Sequence, residues 1–380
     1  MKWKIPLYKI MWDKDDMLAI SKIIKRGMYW GIGPEIDEFE RALAEYVGTD
    51  YCLTFNSGTS AGHAALFAIG LKYADEIIIP SFTFITTANW ALMVGAKPTF
   101  VDIEEKTLGL NPALIESEIT KKTKLIIPMH CGGMPCNIEK IVTIAKKRKI
   151  LIMEDAAESL GAKIKNKKVG TFGDISVLSF AGNKIITTGE GGALMTNSKK
   201  LYDKLKSLRS YGRQIIQNYF SSNEIPKYVT LGYNWRMSNI TAALGISQLS
   251  KLEKLITLRR KNAAYISARL NKYKDIQIPK EPFGYKNVYQ LYSIKLLNST
   301  IRNELSKFLT KKGIMSRIFF EPVHLTSLYK KLGYGKKKLP VTEKTYEQIL
   351  TLPMYPGLRK EDMNFICDSV GEFMETKFLI

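Results

Sequence analysis

Three groups of residues have the types and spacing to do chemistry. The first is "SFAGNKIITTGEGGALMTN", residues 179–197, where Lys184 stands between Ser179 and a cluster at Gly189, Gly191 and Gly192. A nucleotide phosphate loop places its lysine after the glycines, with a hydroxyl residue next. Here the lysine comes first and Ile185 follows it, so the triphosphate reading fails. Lys184 then remains a simple cation or a nucleophile. The second group is "ILIMED", an apolar run ending in Glu154 and Asp155. A carboxylate at the end of a buried strand is costly unless it is paired or hydrogen-bonded. It reads either as a helix cap or structural ion pair, or as an anion facing a cationic cofactor atom such as a protonated pyridine nitrogen. The third is "NSGTSAG" at 56–62. Small residues with free N–H groups at a helix N-terminus bind phosphate, although glycine-serine turns before helices are common.

The elements that must position these groups follow from periodicity. Residues 35–47 place Phe39, Leu43 and Val47 on one face of a helix. "YCLTF" (51–55) reads as a strand, and Asn56 or Ser57 is ready to cap a helix starting near Thr59. Apolar runs of strand length recur at 76–84, 98–103, 124–130, 150–156 and 174–180, most of them separated by helical patterns. Strands buried on both faces and alternating with helices predict a largely parallel α/β sheet, which takes its ligands at the strand C-terminal ends. Residues 238–270 read as one long helical segment, followed by a strand at 288–296, a helix at 301–313 and a strand at 315–324. The expected organisation is a large α/β domain over 1–250 and a smaller α+β domain over 251–380.

Composition narrows the function classes. The chain has 380 residues, 45% of them hydrophobic, with a formal charge of +21. The lysines lie in short scattered runs beside acidic residues, so the charge reads as a solvated surface or a basic mouth for an anionic nucleotide substrate. No nucleic-acid recognition module is legible. No window carries the roughly 18 apolar residues that a membrane span needs, and no signal peptide is evident, so no membrane partner is expected. The four cysteines lack zinc spacing, so no metal site is expected; free thiols and a cytoplasmic location are the expectation.

Taken together, a phosphate cradle, a carboxylate at one strand end and a lysine 29 residues later suit pyridoxal 5'-phosphate held as a Schiff base. With "GPEIDEFERALAEYVG", "SGTSAGHAAL", "EDAAESLGA", "GNKIITTGEGGAL", "LGYNWRMSNITAALGISQL" and "FFEPVH", the whole chain resembles the DegT/DnrJ/EryC1/StrS sugar aminotransferases. That resemblance implies the fold type I, aspartate aminotransferase-like architecture. It makes Lys184 the Schiff-base lysine and proton shuttle, and Asp155 the partner of the pyridine nitrogen. Gly58, Thr59 and Ser179 hold the phosphate, and Phe84 stacks on the ring. Asn234 reaches the phosphate of the neighbouring subunit's cofactor, which implies a homodimer with shared sites. His324 in "EPVH" falls near the substrate, and Arg236 reads as a carboxylate or phosphate contact or as an interface ion pair.

One position departs from the family pattern. Glutamine usually follows "EDAA", beside the cofactor's phenolic oxygen, whereas this chain has Glu158. Two anions there repel unless one carries a proton. His63 is expected to pack, whereas His130 reads equally as a structural hydrogen bond or a site residue. "GNKIITTGEGG" and "FFEPVH" are most similar to the GDP-perosamine synthase branch. The implied reaction moves an amino group from L-glutamate to C4 of a nucleotide-linked 4-keto-6-deoxyhexose, for polysaccharide or glycan synthesis. UDP- or dTDP-linked substrates, aminated at C4 or C3, are the alternative. Related sugar dehydratases carry histidine in place of the lysine, so Lys184 argues against that chemistry, and the full cofactor constellation argues against a noncatalytic regulator.

Overall fold

The computed structural model describes residues 3–214 and 225–378, and among these described residues there are twelve short strands. In chain order they are β1 (Tyr51–Phe55), β2 (Glu76–Pro80), β3 (Lys97–Val101), β4 (Thr123–Ile126), β5 (Leu151–Asp155) and β6 (Lys163–Ile164). There follow β7 (Lys167–Lys168), β8 (Ile175–Ser179), β9 (Gly192–Thr196), β10 (Tyr285–Lys286), β11 (Tyr292–Lys295) and β12 (Ile349–Leu352). Seven of them form one sheet in the order β1-β9-β8-β5-β4-β2-β3. β3, β2, β4, β5 and β8 run parallel, and β9 is antiparallel to both β8 and β1. This is the α/β class that the apolar runs predict. β9 is a strand that the sequence pattern does not announce, because "GALMT" is short and opens on glycine.

The reversal at β9 has a consequence for Lys184. The chain leaves β8 at Ser179, makes the 180–191 loop and returns with Gly192 opposite Ser179. Lys184 is therefore held on a short loop at the ligand edge of the sheet. Gly192 also faces Phe55 of β1. A Cβ there would stand 2.4 Å from the Gly58 backbone nitrogen, so any side chain would push the helix start off the sheet end.

Helices cover both faces because both faces are apolar. Gly58–Ile69 and Ile85–Met93 pack with Leu53, Ile77, Ile79, Trp90 and Leu125 on one side. Pro34–Val47 and Asn239–Ser250 pack with Leu178, Phe180, Met195 and Met237 on the other. A separate core joins Ala263, Ile266, Tyr292, Leu305, Leu350 and Ile366, and Ile5 from the N-terminal segment enters it. The Ile5 and Lys4 N–H groups donate to the Gly313 carbonyl, so the chain start is tied to this second core.

Three expectations need correction. The strand expected at 288–296 is only β11, Tyr292–Lys295, because Tyr289 adopts a φ of +50° before it. The 238–270 segment is two helices, Asn239–Ser250 and Leu252–Leu270, that meet at Lys251. The Lys251 ammonium is drawn to Asp13 at 2.5 Å and Asp16 at 2.8 Å on the N-terminal helix, which places the junction there. Residues 315–324 are not a strand. Arg317 exchanges both backbone hydrogen bonds with Thr351, but Pro322 offers no N–H and Val323 instead donates to the Ser81 carbonyl at 2.9 Å.

Candidate active site

β5 ends in two adjacent carboxylates, and strand alternation sends them to opposite faces. Glu154 is fully buried and accepts from the Gly170, Phe172 and Gly173 N–H groups at 2.8, 2.7 and 2.7 Å. Its fourth partner is His130 Nε2 at 3.0 Å. The Cys136 N–H donates to His130 Nδ1 at 3.1 Å, which places the ring proton on Nε2, toward Glu154. Burial alone raises the Glu154 pKa, but the His130 interaction and the backbone donors outweigh it and hold the group below the usual carboxylate value. Glu154 and His130 therefore form a structural tie between the ends of β4 and β5.

Asp155 is 3% exposed and differently supplied. Its Oδ2 accepts from the Thr87 hydroxyl at 2.7 Å and its Oδ1 from the Ala157 N–H at 3.2 Å. Burial raises its pKa; the two hydrogen bonds and the charge of Lys184 oppose that, and the Glu158 carboxylate adds to it. It is a buried carboxylate short of positive charge. A cationic ring nitrogen is the partner its surroundings lack. The two neighbouring carboxylates are thus pushed in opposite directions.

Lys184 follows β8 on a turn in which its N–H donates to the Ala181 carbonyl at 3.0 Å. Its Nζ lies 3.4 Å from Glu158 Oε1, and the Gly132 N–H donates to Glu158 Oε2 at 2.9 Å. The departure at position 158 is thus accommodated: the carboxylate sits between an ammonium and an amide, with its charge compensated from both sides. We expect Glu158→Gln, which keeps an acceptor for Gly132 and loses only the ion pair, to retain kcat within about tenfold. Glu158→Leu, which loses both contacts, is expected to fall about another tenfold. Equal kcat values for the two variants would refute the role given to the Gly132 contact.

The phosphate cradle is the N-terminus of the Gly58–Ile69 helix, capped by Ser57, whose hydroxyl accepts from the Ser60 N–H at 3.0 Å. Trp90 Nε1 donates to the Thr59 carbonyl at 2.9 Å and fixes the first turn. A Cβ on Gly58 would lie 3.3 Å from Ser179 Cβ, so Gly58, Thr59 and Ser179 meet at one place. Phe84 precedes the Ile85–Met93 helix at the same sheet edge, is 58% exposed, and lies edge-on to Phe320 at 6.5 Å. The donor set, the buried anion and the free aromatic face fit a phosphorylated pyridine cofactor.

Of the other predicted residues, Asn234 and Arg236 flank the phosphate cradle, where Asn56 Nδ2 donates to the Asn234 carbonyl at 3.4 Å and Arg236 bridges Phe55 of β1, whereas the His324 ring lies among protein groups. His324 is fully buried; its Nδ1 is 2.6 Å from Ser81 Oγ and its Nε2 3.5 Å from Glu343, so the ring faces protein groups. Asn234 and Arg236 line a groove of about 840 Å³ with Trp30, Tyr211 and Tyr228. There the Arg236 guanidinium lies 4.9 Å from the Tyr211 ring. His63 packs among Phe67, Tyr233 and Trp235, as expected for a residue of that helix.

Residues that the pattern did not single out complete the site. Thr87 grips Asp155, Gly132 grips Glu158, and Gln290 donates to the carbonyl of Asn183 beside the lysine. Thr87 and Asp155 are 68 residues apart in sequence, a contact that no local signal carries.

Comparison with known proteins agrees with this geometry. The chain is 38% identical over 373 residues, 98% of its length and 99% of the relative's, to a protein of Escherichia coli O157:H7 named GDP-perosamine synthase. It is 33% identical over 368 residues, 96% of its length and 96% of the relative's, to the UDP-4-amino-4,6-dideoxy-N-acetyl-beta-L-altrosamine transaminase of Campylobacter jejuni. Among solved structures, NtdA of Bacillus subtilis with bound cofactor PMP superposes at a TM-score of 0.87 and 27% identity, covering 95% of this chain and 82% of that one. The model of the DegT/DnrJ/EryC1/StrS aminotransferase family matches residues 11–371, and the chain belongs to that family.

Proposed function

We propose that the protein transfers an amino group from L-glutamate to C4 of GDP-4-keto-6-deoxymannose or a closely related nucleotide 4-keto-6-deoxyhexose, with pyridoxal 5'-phosphate as cofactor. The observation that carries the reaction is the pairing of Lys184 with Glu158 beside the buried, cation-short Asp155. The GDP-linked sugar is favoured by the 38% identity to the Escherichia coli relative across nearly both whole chains. A UDP-linked substrate is the second reading, supported by the 33% identity to the Campylobacter jejuni transaminase.

When bound, the cofactor supplies an electron sink and a carrier for the amino group. The chain's own residues do the rest. The Gly58 N–H and the hydroxyls of Thr59 and Ser179 hold the phosphate at a helix start, where backbone donors and the helix dipole favour an anion. Asp155 would favour a proton on the ring nitrogen, and Phe84 would offer an aromatic face to the ring. Lys184 would supply the amine that holds the cofactor and, when free, the general base and acid that move protons at its Nζ. Glu158 holds the lysine on its turn and compensates its charge when protonated.

A homodimer with shared sites accompanies this reading. Trp12, Met17, Leu18, Ile24, Met28 and Trp30 are all exposed along one N-terminal segment that borders the Asn234 groove. So much exposed apolar side chain marks an association surface. Mixing inactive Lys184→Ala with Asn234→Ala chains is expected to restore about a quarter of wild-type activity, because half of the random dimers then hold one intact site. Activity no higher than the average of the two variants alone would refute sharing.

The substrate is tested by incubating the protein with L-glutamate and GDP-, UDP- or dTDP-linked 4-keto-6-deoxyhexoses and reading products by mass spectrometry. The GDP sugar is expected to turn over fastest. A faster UDP sugar would select the second reading, and turnover of none would refute the substrate class.

A further inference from the structure

Residues 287–291 run between the second core and the catalytic loop, and their contacts are unusual in three ways. Gln290 is 4% exposed, and its Nε2 donates to the Asn183 carbonyl at 2.5 Å, next to Lys184. Its Oε1 is buried and takes no hydrogen bond from the described residues. Burying half an amide without a partner is unfavourable, so an apolar residue of this size would serve packing better. What Gln290 adds over such a residue is the donor it places on the Asn183 carbonyl.

The backbone on either side is held on the opposite flank of the same pair. The Leu291 N–H donates to the Gly132 carbonyl at 3.0 Å, and the Val288 N–H to the Gly133 carbonyl at 3.1 Å. Gly132 is the residue whose N–H fixes Glu158. At Gly133, φ is +99°, and a Cβ would stand 2.8 Å from the Gln290 nitrogen, so the approach admits only glycine. One short segment thus grips the lysine side of the Lys184–Glu158 pair through Gln290 and the glutamate side through Leu291.

The segment is also held in a conformation that it would not choose alone. Tyr289 has φ of +50°, a left-handed conformation that is unfavourable for a non-glycine residue. Its N–H is captured by Asn287 Oδ1 at 2.7 Å. Arg259, fully buried on the Leu252–Leu270 helix, donates from Nη1 to the carbonyls of Tyr289 and Met354 at 3.0 Å each. Arg260 Nη1 donates to the Asn287 carbonyl at 2.6 Å. Two arginines thus spend donors on the backbone of this short segment. Strain held by such surroundings clusters at functional positions.

We propose that residues 287–291 form a clamp through which the second core sets the Lys184–Glu158 spacing, and that Gln290 is the positioning residue for Lys184. This rests on the reading of Lys184 as the covalent lysine. Because Gln290 and Leu291 act on opposite partners of the pair, a shift of the segment changes their separation from both sides.

The test replaces Gln290 by Met and by Leu, two apolar shapes without the donor, and by His, which restores an N–H. Lys184 reactivity is read in the cofactor-free full-length chain by trace acetylation and peptide mass spectrometry. In parallel, kcat and KM are measured with the cofactor present. In the Met and Leu variants the labelling rate of Lys184 is expected to change while other lysines keep theirs. Their kcat should fall about tenfold to a hundredfold with KM little altered, the usual cost of a small misplacement. The His variant should recover part of both. Unchanged labelling and kcat in a folded Met or Leu variant would overturn the proposal. Failure of both to fold would also overturn it, since the residue would then serve stability. A wild-type chain inactive on every nucleotide sugar would refute the substrate reading, while the labelling comparison would still decide the role of Gln290.

Discussion

Lys184→Ala is expected to lower kcat by at least about 10⁴-fold, since it removes both the covalent attachment and the proton carrier. The fold should survive. Lys184 sits on a turn at the sheet edge with 14% of its side chain exposed, and its ammonium lies 3.4 Å from Glu158. Truncation leaves Glu158 with the Gly132 N–H, so no carboxylate is left without a donor. The measurement is direct: borohydride reduction of the cofactor-loaded wild type should fix the cofactor mass on the peptide containing residue 184. The alanine variant should carry none there and should lack the visible band of a lysine-bound cofactor. Cofactor fixed equally well in the variant, on any other lysine, would overturn the assignment.

The parts of this site that were legible in the sequence are those encoded by short-range chemistry. A strand buried on both faces must be apolar, so the carboxylates at its end, Glu154 and Asp155, stand out, while the choice of Asp155 comes from the family resemblance. A helix start must satisfy its first N–H groups, so "NSGTSAG" announced itself, and Ser57 caps the helix as expected. The parts that were not legible depend on pairings across the chain. Nothing in "SFTFITTANW" sets Thr87 apart from Thr86 until the fold brings it to Asp155. Both "HCGGMPC" and "NVYQLY" read as a loop and a strand, and only their juxtaposition makes Gly132, Gly133 and Gln290 neighbours. The misread strand at 315–324 shows the same limit. Its residues have strand propensity, but one residue pairs with Thr351 before Ser81 claims the backbone of Val323. The adjacent Glu154 looked as suitable for chemistry as Asp155, and three backbone donors with His130 decide otherwise.

Asp155→Asn is expected to separate stability from activity, because the two pull in opposite directions at this residue. Burial raises the Asp155 pKa in the folded chain above its unfolded value, which is about 3.9. The folded state therefore holds the proton more tightly than the unfolded state. Stability is lost as pH rises from about 4 through the folded pKa, and above that range the whole penalty is in force. Asparagine carries no charge to bury, and its amide can still accept from the Ala157 N–H while donating to the Thr87 oxygen. Without cofactor, the variant should accordingly melt above the wild type at pH 7.5, and the gap should narrow toward pH 4.5. With cofactor the order should reverse, because the wild-type carboxylate then gains the cation that its surroundings lack and the variant does not. Activity should fall by about 10²–10³-fold, the usual effect of removing a preorganised charge partner. The check is a set of thermal melts of both proteins at the two pH values, with and without cofactor. A cofactor-free variant that melts below the wild type at pH 7.5, or a gap that widens on acidification, would mean that burial does not govern Asp155. The charge shortage that singles out this carboxylate as the cofactor's partner would then have to come from elsewhere in the site.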